Sequence, residues 1–182
     1  MDDNWLKISR SQERDAYYQA GHAVIALLES LDVVRLFMED DGSSWIDVRY
    51  PDLDRSRLSR SVRARSDAKS VIRALLAGPA AQMRYSFGSC DAGHALPDFD
   101  LGASYMVESE AVWRAISLAG RISNDSPSLI SSLWRRVNRE IQRSETWVAI
   151  GAIANALLIN GELAGCEVRD LARLVVDPKP DC

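Results

Sequence analysis

One stretch constrains the fold more than any other: residues 15–30, DAYYQAGHAVIALLES. Tyr17, Ala20, Val24, Leu27 and Leu28 recur at helical spacing, and Ala16, Ala23 and Ile25 extend the apolar surface around most of the circumference. A helix apolar on nearly every side is a central one, with the rest of the chain packed around it. Ser9 and Gln12 form an S-x-x-Q capping box, so the helix is expected over about residues 11–31. It contains Gly21, and glycine in a helix interior costs roughly 1 kcal/mol relative to alanine. Close packing against a neighbour is therefore expected there.

The period then changes. VVRLFMEDDGSSWIDVRYP reads as two β-runs, 33–38 and 45–50, around Asp41-Gly42, with Pro51 as the end of a hairpin. Residues 56–87 are helical again and expected as two helices, because Gly78-Pro79 should break or restart the run. A loop follows over 88–97, then a helix over 98–118 whose acidic start suits an N-terminus. After NDSPS come helices over 127–143 and 145–159, a stop at Asn160-Gly161, and a last short helix over 166–175. Trp113, Trp134 and Trp147 fall on these helices and read as core; Met38, Met83 and Met106 carry no cofactor pattern. The expectation is a mainly α single domain over 1–182, core about 11–175, with a small β-hairpin after the first helix.

Composition narrows the function classes. A chain of 182 residues with 47 % hydrophobic content buries a core without covalent staples. The net charge of −4 argues against a general nucleic-acid binder. Cys90, Cys166 and Cys182 include no C-x-x-C, so neither a disulfide framework nor a zinc ribbon is indicated, and a reducing cytoplasm fits. The acidic start, MDDNWLKISR, has no apolar core of a signal peptide; no membrane span and no P-loop is seen. A basic stretch carries Arg55, Arg57, Arg60, Arg63, Arg65, Lys69 and Arg73. It reads as a solvated helix face, with docking of an acidic or phosphate-rich partner as the alternative.

The chemistry lies in the first helix. A zinc protease of the H-E-x-x-H kind sets two histidines at i and i+4 on one helical face, with a glutamate beside the first as general base. In AYYQAGHAV the second histidine position is His22; four residues earlier stands Tyr18, and beside it Gln19. LLAGPAAQMRYSFG follows at 75–88, PDFDLGASYMV at 97–107, and REIQRSETWVAIGAIANALLINGELAGCEVRDL at 139–171. In this order the motifs resemble the zinc-peptidase domain of FtsH-type membrane-associated ATP-dependent proteases, over about residues 11–175. That family reads A-Y-H-E-A-G-H-A-V on its first helix. It continues with a strand region, a G-G-R-A-A-E-E helix, a helix start carrying the third ligand, and two C-terminal helices.

The resemblance implies an FtsH-peptidase-like helical fold in which His22 matches the second zinc ligand and Asp98 the third, with Asp100 as its rival. Tyr18 replaces the first ligand and Gln19 the catalytic glutamate; Pro79 and Gln82 replace an arginine and a glutamate of the second motif. The ATPase module and membrane anchors of the family are not seen. An amide has no usable basicity near neutral pH, and general-base help contributes about 10²–10⁴-fold in rate. Tyrosine ligates only as phenolate, with a reference pKa of about 10. The expected function is a degenerate peptidase-like domain, inactive as a protease, that binds a protein or peptide, copies of itself, or an ATP-dependent protease. The alternative is a metallopeptidase that keeps zinc through His22, Asp98 and a substitute such as His94. Cys90 and Asp91 add donors in the same loop, but a polar loop whose carboxylates cap a helix start is the favoured reading of it. Without metal, Tyr18, His22 and Asp98 would form a hydrogen-bonded cluster in which His22 is a core histidine.

Overall fold

A computed structural model describes residues 9–39, 41, 43–54, 56, 58, 61–88 and 109–176. The first helix, α1 (Arg10–Leu28), opens on the expected capping box: the Gln12 N–H donates to the Ser9 hydroxyl at 3.2 Å, and the Ser9 N–H to Gln12 Oε1 at 2.9 Å. Every residue from Gln19 to Leu27 is buried, as its all-round apolarity requires.

Two strands follow, β1 (Asp32–Met38) and β2 (Ser44–Arg49), paired antiparallel with a bulge between Val33 and Arg35. The hairpin gains a third strand that the sequence pattern does not show. After the helix α5 (Ser144–Asn160), Gly161 adopts φ 72°, a left-handed conformation that favours glycine. Its N–H closes the helix onto Leu157, and its carbonyl accepts from the Met38 N–H at 2.7 Å. The chain is thereby laid along β1 as β3 (Glu162–Ala164), giving the order β2-β1-β3 with β2 at one edge. Three residues are too few to show a period of two.

The long helix α2 (Val62–Phe87) corrects the expected break at Gly78-Pro79: the helix runs through both. Interior proline costs about 3 kcal/mol through a lost N–H bond and a clash with the preceding turn. Residues 74–81 are all buried, so the packing of that segment, chiefly against α1, outweighs the local preference. Helices α3 (Glu110–Ile122), α4 (Ser126–Ile141) and α6 (Gly165–Val176) complete the described fold. Ser109 is extended, so α3 begins at Glu110; the first part of the helix expected over 98–118 lies outside the described residues. Trp134 is core and Trp147 half-buried, whereas Trp113 is 50 % exposed and corrects its assignment to the core. No helix among the described residues is long and apolar enough to cross a membrane.

Candidate functional site

Gly21 and Gly78 explain how α1 and α2 cross. A Cβ on Gly21 would stand 2.7 Å from the Ala77 carbonyl oxygen, and a Cβ on Gly78 would overlap the His22 ring. The missing side chains let the backbones approach and leave a slot that the imidazole fills. There the Nδ1–H donates to the Ala74 carbonyl at 2.6 Å. A carbonyl only accepts, so Nδ1 carries the proton and Nε2, lying against Gly78, keeps the lone pair. Burial pushes the His22 pKa down from 6.5 to about 4, against the opposing pull of the Ala74 bond, so the ring is neutral at pH 7.

One turn earlier, Tyr18 meets His22 edge-on, ring centroids 4.6 Å apart. Its hydroxyl bonds not to the imidazole but to Ser109 Oγ at 2.8 Å, ahead of α3. Of the expected cluster, Tyr18 and His22 do not bond to each other and Asp98 lies outside the described residues; His22 is a buried histidine with Ala74 as its acceptor. Burial holds the Tyr18 phenol above its ordinary range, with the Ser109 bond lowering it and the charges of Glu110 and Asp15 raising it.

Gln19 is buried, and its Nε2 donates twice to the first residue of β2, to the Ser44 carbonyl at 2.9 Å and to Ser44 Oγ at 3.1 Å. The amide ties the central helix to the edge strand. A carboxylate has no hydrogen to give and would face the Ser44 carbonyl oxygen. Gln19 is thus a donor with a structural task.

Tyr18, Gln19 and His22 line one wall of a cleft of about 410 Å³. Ser44, Ile46 and Val48 of β2 and Tyr50 form another, and Glu110 and Arg114 of α3 a third. The Arg114 guanidinium lies 5.9 Å from the Tyr50 ring centroid. Ser44, Tyr50, Ser109 and Arg114 were not singled out by sequence reasoning. A serine at the head of a strand and an arginine on a helix carry no local signature of a site. The candidates His94, Asp98 and Asp100, with Cys90 and Asp91, lie outside the described residues. Among the described residues no group of three or more His, Cys, Asp or Glu side chains is arranged to hold a metal ion, and His22 is the one matched ligand that can be placed. Gln82 Nε2 reaches Asp15 Oδ1 at 3.4 Å, joining the second motif to the first helix.

The basic stretch divides. Arg73 is paired with Glu29, which also accepts from Ser70, while Arg63, Arg65 and Lys69 are exposed; Arg55, Arg57 and Arg60 lie outside the described residues. Compared with known proteins, the chain is matched by no family model and by no curated protein.

Proposed function

We propose that this chain is a degenerate FtsH-like peptidase module that holds an extended protein or peptide segment in the cleft beside β2 without hydrolysing it. The observation that carries the reading is the buried Gln19 amide, donating to Ser44 where a hydrolase of that kind needs a free carboxylate. Edge strands bind extended peptides by adding one strand to the sheet, and β2 is an edge strand that forms a wall of the cleft. The bound segment would belong to a partner protein, to an ATP-dependent protease or its substrate, or to another copy of the chain.

A second reading has one observation in its favour. A zinc-ligating histidine commonly donates its other N–H to a carbonyl or carboxylate, which fixes the tautomer. His22 does this through Ala74. Under that reading His22, Asp98 and a substitute such as His94 hold zinc, and the metal supplies an activated water.

Labelled casein separates the two when followed at once by polarisation and by release of acid-soluble fragments, alongside zinc analysis of the purified protein. Binding without release is expected. Fragment release with stoichiometric zinc, both abolished by His22→Ala, would establish the metallopeptidase. Unchanged polarisation at every protein concentration would overturn the binding module. Tyr18→His/Gln19→Glu tests whether the remaining site is competent, and activity gained by that variant would locate the loss at those two positions.

A further inference from the structure

We propose that the outer face of α4 is a docking surface for an acidic helical segment of a partner protein. It stands apart from the cleft reading. Ser128, Ser132, Arg135, Arg136 and Arg139 are all exposed, and the helical period gathers them on one side, opposite buried Ile130, Leu133, Trp134, Val137 and Ile141. Arg135 and Arg139 are one turn apart, about 6 Å along the axis, with Arg136 beside them.

The helix dipole favours Arg139 in the last turn, but it does not account for Arg135 and Arg136 as well, since like charges at i and i+4 weaken a helix. Glu140 is the sole acidic residue of α4, and it accepts instead from Thr146 Oγ1 at 3.0 Å and Arg143 Nη1 at 3.4 Å. The Arg135 Nε leans onto the Ser131 carbonyl at 3.4 Å. Among the described residues, the side chains of Arg136 and Arg139 form neither a hydrogen bond nor an ion pair. Four other arginines are matched by carboxylates: Arg73 by Glu29, Arg35 by Glu162, Arg49 and Arg169 by Asp32. Arg63, Arg65 and Lys69 on α2 are also exposed, but Asp67 stands among them.

The chemistry selects the partner. Guanidinium forks pair with carboxylates in two-point geometry. Carboxylates at i and i+4 of a facing helix repeat at the same spacing, about 6 Å, and would meet Arg135 and Arg139 turn for turn. A nucleic acid fits less well. The chain carries a net charge of −4, and the aromatic residue of α4, Trp134, points into the core rather than offering a stacking surface.

The test titrates the full chain with a labelled helical peptide bearing glutamate at successive i,i+4 positions. A glutamine version of the peptide, a random DNA duplex and phosphatidylserine vesicles run in parallel. The glutamate peptide is expected to bind at low salt and to weaken about tenfold at high salt. Arg135→Glu/Arg139→Glu should reduce affinity about tenfold while the circular dichroism and melting temperature stay put, because both side chains are exposed. Glutamine and glutamate peptides binding alike, or wild type and double variant binding alike, would overturn the proposal. So would tighter binding of DNA or vesicles than of the glutamate peptide.

Discussion

The two sides of α1 have opposite characters. Toward α2 the helix presents Gly21 and His22, packed against Ala74, Ala77, Gly78 and Ala81 with no room for one added carbon. Toward β2 it presents Tyr18 and Gln19 on an open cleft that His22 also lines, with polar bonds to Ser109 and Ser44. The sealed side has little tolerance, because an added Cβ there would meet the Ala81 methyl, the Ala77 carbonyl or the His22 ring. The open side admits exchange of one polar group for another so long as donors and acceptors still match. A scaffold can therefore keep its helix crossing while the residues over the cleft change their chemistry.

The sharpest way to test the sealed side is its buried histidine. The native His22 pKa is about 4 and the unfolded value 6.5. Between those values the unfolded chain binds the proton and the native state does not. Stability should thus be complete above pH 6.5, fall as pH drops to about 4, and level off below. The loss is about 3 kcal/mol, read as the difference between wild type and His22→Gln in denaturant melts with chelator present.

Next in size, Gly21→Ala and Gly78→Ala should each destabilise by about 2 kcal/mol, against the gain that alanine brings to an exposed helix. Unchanged midpoints in urea would show that the crossing is looser than described. A smaller effect is expected on the open side. Gln19→Glu removes two donated bonds and costs about 1–2 kcal/mol at neutral pH. The cost should shrink toward acid, where the new carboxyl is protonated and donates again. A pH-independent change would mean that the Ser44 bonds contribute nothing. The least effect belongs to Tyr18→Phe, which loses the Ser109 bond and about 1 kcal/mol. A midpoint shift as large as that of the glycine variants would erase the contrast between the two sides.

Much of this was legible in local pattern. The capping box, the central helix, the hairpin around Asp41 and the close packing at Gly21 each follow from residues a few positions apart. Tyr18, Gln19 and His22 were also legible as a group, since a helix sets i and i+4 on one face. The continuity of α2 through Pro79 was not, because local preference opposes it and only burial of 74–81 reverses the balance. Nor was β3, whose three residues become a strand by lying beside β1.

What the sequence determined by itself is thus the place of the central helix and of the hairpin strands, and which polar side chains share that helix. What those side chains do was decided by tertiary structure. His22 finds its acceptor 52 residues away and Gln19 its acceptor 25 residues away, and the role of each follows from that partner. A hydrogen bond between distant segments leaves no periodic trace in the chain, so it is settled only when packing brings donor and acceptor within reach.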